Sequence, residues 1–275
     1  MSIDNNPLKQ YFRRPSIYIK LPSGGKYAPG VIDMPENGEL PVYPMTAIDD
    51  ITSKTPDALY NGSAIVEVIK SCVPNIIDPW QINNVDFDAI LIAIRSAATG
   101  NDMEVETTCP ACEEESKYNI SLVGLLSTLK AGDYATELNI KDIAIKFKPL
   151  TYKEMSEASV GQFEMQRLFI MINNIENEEE KSARSKEALK TITDITMQVL
   201  SKTVEYIKVP TAFVDNNEYI LDFLRNCDKM MFDQIKDHNS LLKKQTEVKP
   251  LHVKCISCSH EYEQPFTLNA SDFFA

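Results

Sequence analysis

Two cysteine pairs of the same spacing, Cys109-Pro110-Ala111-Cys112 and Cys255-Ile256-Ser257-Cys258, are separated by 142 residues. In a C-x-x-C turn both sulfurs can face one ion while backbone N–H groups point at the thiolates. Two such turns complete a tetrahedral Cys₄ set at roughly 2.3 Å from a zinc ion. A single ion holding all four would force the intervening chain to return to its starting point. Compact zinc ribbons separate their pairs by only ~15–20 residues, but loop-closure entropy grows slowly with length, so the long interval is not prohibitive. A closed Cys₄ site has no coordination position for water or substrate and therefore clamps strands rather than catalyses. Three other readings stay open at this point: a thiol oxidoreductase, two reduced pairs without metal, and disulfides formed after release from a cell. A redox C-x-x-C precedes a helix, whereas strand-like sequence follows both pairs here.

The rest of the composition narrows the setting. With 43% hydrophobic residues, 275 positions suffice for one large or two small domains. The formal charge of −12 argues against a groove that neutralises many phosphates, although Lys9, Arg13, Arg14, Lys20 and Lys26 gather near the start. No run approaches ~18 consecutive apolar residues, and the first twenty lack the apolar centre of a secretory signal. The expectation is a soluble protein kept in a cytoplasm, with no membrane contact, where six cysteines would stay reduced.

Along the chain, Ser16 to Leu21 alternates like a strand and runs into the turn-rich Pro22-Ser23-Gly24-Gly25-Lys26-Tyr27. Glu39 to Met45 is a second extended run whose prolines restrict it to an edge. Thr55-Pro56 reads as the start of a helix with an apolar face at Ile65, Val66, Val68, Ile69 and Cys72. Asp86 to Ala98 is a second helix, ended by Thr99-Gly100. Alternation on both sides of Cys109 and Cys112 predicts a hairpin with the cysteines at its tip. Two strands follow between 134 and 148. A capping box at Thr151-x-x-Glu154 then opens a helical block with Phe163, Gln166, Ile170, Met171 and Asn174 at helical steps. A second apolar face runs from Leu189 to Val204, residues 175–190 form a charged connection, and a third helix covers 217–242. Cys72 and Cys227 read as buried structural thiols. His252 and His260, close to the second pair, read as surface or supporting residues, though either is near enough to replace a sulfur.

Other chemistry is absent. Ser23-Gly24-Gly25-Lys26 lacks the spacing of a phosphate loop, and Tyr27 stands where a magnesium-binding hydroxyl residue would be. There is no metalloprotease, nucleophile-elbow or dinucleotide fingerprint, and only three histidines. The runs Glu113-Glu114-Glu115 and Glu178-Glu179-Glu180 read as solvated charge. Nothing argues for an enzyme or a small-molecule substrate.

Taken together, several segments resemble a known family. These are Ile19 to Tyr27 with its Leu21-Pro22-Ser23-Gly24-Gly25 core, Pro44-Met45-Thr46 before a helix, and Arg95 to Gly100 leading into Cys109-Pro110-x-Cys112. The last is Cys255-x-x-Cys258 with Asp272-Phe273-Phe274. They are similar to the baseplate hub assembly proteins of contractile-tailed phages of the T-even type, over roughly residues 15–122 and 250–275. The resemblance implies a structural or assembly role in a tail baseplate through contacts with other tail proteins, in the infected cell and in the virion. It implies a contact surface for the Leu21 to Tyr27 loop and no more. The rival from another class is a zinc-ribbon module that binds nucleic acid or a polymerase.

The expected fold is α+β. An extended arm (1–50) leads into a helical pair with the first zinc knuckle (51–133). A strand pair with an inserted three-helix block (134–250) follows, and a second knuckle with a tail (251–275) completes a ribbon on Cys109, Cys112, Cys255 and Cys258.

Overall fold

The computed structural model describes residues 6–55 and 62–266. Pro56 and the tail with Phe273 and Phe274, singled out above, lie outside the described residues. The chain is α+β and divides into two compact units. One takes the described residues of Met1–Pro79, Asp86–Leu129 and Val248–Ala275; the other takes Trp80–Val85 and Lys130–Glu247. Among the described residues no helix is long and apolar enough to cross a membrane.

The first unit begins with β1 (Ile17–Ile19) antiparallel to β2 (Leu40–Val42), with Tyr18 opposite Pro41. Both strands of a two-stranded sheet are edge strands, the setting to which a proline such as Pro41 is restricted. The extended arm is bound closely to the rest of this unit. Ile19, Leu21, Val31, Leu40 and Val42 are all buried. Backbone bonds stitch Tyr43 N to Cys72 O at 2.8 Å, Asp33 N to Asn75 O at 2.8 Å and Ile77 N to Val31 O at 2.9 Å. Beyond the alternating Ile17-x-Ile19-x-Leu21, the apolar residues of the arm are scattered between prolines and glycines and give no periodic signal.

Helix α1 (Ala47–Ser53) starts at Thr46, whose side chain and that of Asp49 form a reciprocal capping box. Helix α2 (Ser63–Cys72) buries Ile65, Val66, Val68, Ile69 and Cys72, the face expected from their spacing. In α3 (Asn84–Thr99), Val85, Phe87 and the run Ala89 to Ile94 are buried, so this helix is apolar nearly all round and forms the centre of the unit's core. It ends where Gly100 takes φ +92° and returns its N–H to Ser96 O. The hairpin β3 (Asp102–Thr108) and β4 (Glu115–Ser121) follows, then a short α4 (Leu122–Thr128).

In the second unit β5 (Leu138–Ile140) and β6 (Ile143–Phe147) precede two long helices, α5 (Tyr152–Asn173) and α6 (Glu178–Lys202). These lead to β7 (Val204–Val209), β8 (Ala212–Val214), α7 (Asn217–Asn226) and α8 (Lys229–Thr246). The strands form one antiparallel sheet in the order β5-β6-β7-β8, so the α5–α6 hairpin is an excursion between two adjacent strands. Its core joins Ile145, Phe147, Val204 and Ile207 to Ile220, Leu224, Ile235 and Leu242.

Four expectations change here. Val204 opens a strand instead of extending a helical face. The charged connection is the first half of α6, where Asn177 caps the helix and Glu178, Glu179 and Glu180 sit in its first turn, favourably placed against the helix dipole. The helix expected over 217–242 is two, because Asp228 caps α8 through the Met231 N–H and Cys227 ends α7. Finally, Phe163, Ile170 and Met171 are exposed; the buried side of α5 is Met165 and Ile172, packed with Ala188 of α6.

The chain closes with β9 (Leu251–Lys254) and β10 (Glu261–Gln264), a second two-stranded hairpin in the first unit.

Candidate metal centre

Each cysteine pair sits at the tip of a hairpin, and the two tips have the same backbone. In the first, Cys109 N donates to Glu114 O and Glu113 N donates to Cys109 O, both at 2.9 Å. In the second, Cys255 N donates to His260 O at 2.8 Å and Ser259 N to Cys255 O at 3.0 Å. The fifth residue of each turn takes a left-handed conformation, Glu113 at φ 58° and Ser259 at φ 60°. Two sequences with only their cysteines in common thus make one geometry twice.

The structure brings all four sequence-predicted ligands together. Cys109 Sγ and Cys258 Sγ lie 3.7 Å apart. Cys112 Sγ and Cys255 Sγ lie 3.6 Å apart. All four sulfurs fall within 4.8 Å of one another. A tetrahedron with zinc–sulfur bonds of ~2.3 Å has edges of about 3.8 Å, so these separations fit a single ion. Cys109 and Cys255 are buried, while Cys112 and Cys258 face outward, and all four are free thiols. Strands, not helix N-termini, follow both pairs, which is the wrong setting for a redox pair.

The electrostatics match the donor set. The Cys258 amide, followed by that of Ser257, holds the Cys255 thiol down to about 7 against the burial that raises it. For Cys112 the Glu114 amide acts to lower the value, but the sulfurs of Cys258, Cys255 and Cys109 together with desolvation push it up to about 12. Backbone amides thus favour one thiolate while the neighbouring sulfurs oppose a second, and a cation among them would offset that repulsion. The amides pointing at sulfur are the supporting shell expected of a C-x-x-C knuckle.

The two hairpins are not joined by a strand ladder. Thr107 and Tyr262 share a hydroxyl–hydroxyl bond of 2.8 Å, and the Tyr118 hydroxyl donates to Lys254 O at 2.9 Å. Neither histidine belongs to the sulfur cluster. His260 stacks its ring on Tyr262 at 6.3 Å, and His252 faces Glu263 at 3.6 Å on the surface.

Two residues outside the cysteines, Asp86 and Arg13, prove more important than the sequence suggested. Asp86, fully buried on α3, accepts from the Ser23 N–H at 2.9 Å and from the hydroxyls of Ser23 and Tyr27. The Leu21 to Tyr27 loop therefore turns Ser23 and Tyr27 inward onto a carboxylate, while Lys26 stays exposed. Arg13 donates to Pro44 O at 2.6 Å and to Ser71 O at 2.8 Å, and pairs with Asp49 at 3.2 Å. Its charge is used to tie the arm to α1 and α2, while Lys20 pairs with Glu39 at 3.7 Å. Of the two remaining thiols, Cys72 is fully buried and its thiol is pushed up to about 11 by that burial; Cys227 is only half-buried at the end of α7.

The model of a family described as T4 bacteriophage base plate protein covers residues 17–275. No curated protein and no solved structure matches the chain.

Proposed function

The chain belongs to the T4 bacteriophage base plate protein family, and from that premise we propose that it serves in the hub region of a contractile tail baseplate, held in shape by one structural zinc ion. A structural role in the phage baseplate, in contact with other tail proteins, follows from the family. The hub position, the zinc on Cys109, Cys112, Cys255 and Cys258, and assembly in the host cytoplasm are the finer part of the reading. The observation that carries the metal is the meeting of four sulfurs from positions 142 residues apart on two tips of matching backbone. Four protein ligands close the coordination sphere, so the ion would act on folding and not on a substrate. The protein then works as a rigid set of surfaces.

Two measurements test this. Elemental analysis of the reduced protein should find one zinc per chain, with the four cysteines protected from alkylation until a chelator is added. Absence of bound metal overturns the zinc reading. Mass spectrometry of purified particles beside infected-cell lysate should find the chain in stoichiometric amount with other baseplate proteins. A chain confined to the lysate would make it a transient assembly factor, and one found in neither fraction with tail proteins would overturn the hub assignment.

A further inference from the structure

The second unit contains a groove of about 580 Å³ between the α5–α6 hairpin and α8. Its floor is apolar: Met165 and Phe169 of α5, Ile192 and Ile195 of α6, and Phe232 of α8. The sides differ in character. Gln162 and Gln166 line the α5 side, whereas α8 contributes Lys236 and Lys243, and no carboxylate lines the groove at all. In a chain with formal charge −12 that is a local reversal of sign. Both lysines are exposed, and neither is among the ion-paired lysines of the described residues. They stand seven residues apart, two helical turns or roughly 10.5 Å along α8, on the stripe that begins at Phe232.

From this arrangement we infer that the groove receives an acidic amphipathic helix of a partner protein. The lining follows α8 from Phe232 to Lys243, about three helical turns, a span that accepts residues at i, i+3/i+4 and i+7 of an incoming helix. Two lysines at a spacing of seven match Asp or Glu at the same spacing on the flank of that helix and repel a basic one. The uncharged glutamine side accepts either polarity, so α8 sets the orientation. The inference deepens the assembly reading by giving it a contact surface, and it is independent of the cysteine cluster.

Two synthetic helical peptides test it, both with leucines at i, i+3 and i+7, one flanked by glutamates and the other by lysines. Each is titrated by fluorescence anisotropy into the full chain at low salt. The glutamate peptide should bind with a Kd about tenfold lower than the lysine peptide, and the double change Lys236→Glu, Lys243→Glu should invert that preference. Ser240→Trp, which projects bulk into the groove, should abolish both while thermal melts of all variants stay near the parent. Equal binding of the two peptides, no binding of either, or a preference unmoved by the lysine reversals overturns the inference. Binding of a sixteen-carbon fatty acid with no peptide binding overturns it in favour of a lipid. Incorporation into particles is read separately, so the groove and the baseplate role can fail independently.

Discussion

The two hairpins of the first unit and the four-stranded sheet of the second are both antiparallel, yet they are stabilised in opposite ways. Along β3 and β4 the residues alternate between exposed and half-buried, with Thr107 the one buried residue, and along β9 and β10 only Val253 is buried. A two-stranded ribbon with so little covered surface is marginal in water. In the sheet, by contrast, Ile145 and Phe147 of β6 are 0% and 1% exposed beneath α7 and α8, and Ile207 of β7 adds a second strand to the same layer. There the hydrophobic effect is spread over many contacts. In the hairpins it is replaced by a few side-chain bonds and a meeting of sulfurs. Shape in one region depends on area, and in the other on a point.

The largest test of that contrast is removal of the point. With the proposed zinc in place, which as a structural ion would contribute on the order of 10 kcal/mol to folding, chelation, or Cys255→Ser, should strip hydrogen-exchange protection from the amides of β3, β4, β9 and β10. The amides of β5 to β8 should stay protected; hairpin amides that survive chelation would break the comparison. The converse change is Phe147→Ala, which opens a cavity under the sheet and should cost about 3–5 kcal/mol in denaturant melts, by the same amount with and without chelator. A loss that grew when metal was withdrawn would show that the two regions share their stabilisation. The smallest effect should come from Lys117, which bridges Glu104 at 2.7 Å and Glu106 at 2.8 Å across the first hairpin. These groups are exposed, so at 0.15 M salt Lys117→Ala should leave the melting temperature within about one degree of the parent. A larger drop would mean that surface charge, and not sulfur, holds the ribbon.

How far the sequence revealed this can be judged residue by residue. The hairpins were readable because period-2 alternation meets C-x-x-C, and a two-residue turn dictates where its sulfurs go. Helix α3 and the start of α5 were readable because Gly100 and the pair Thr151 and Glu154 are local signals with local causes. Strand β7 was not: Leu200 and Val204 lie four apart and continue the helical period, and only pairing with β6, across the whole α5–α6 excursion, makes Val204 a strand residue. The break between α7 and α8 lacks glycine and proline; its one signal is Asp228, which is as common inside loops as at caps. The partnership of Ser23 and Tyr27 with Asp86 spans about sixty residues and follows no spacing rule. Arg13 looked like part of a basic surface because a sequence shows charge but not what faces it.

The matched cysteine tips have a mechanical consequence. An ion across the four sulfurs would make residues 113–254 a side branch, so tension applied between the stretch just before Cys109 and the stretch just after Cys258 would bypass the four-stranded sheet and helices α5 to α8. Load entering and leaving beside the two tips would run through the shortest link between them, and the sheet with its helices would keep its geometry while force passes it by.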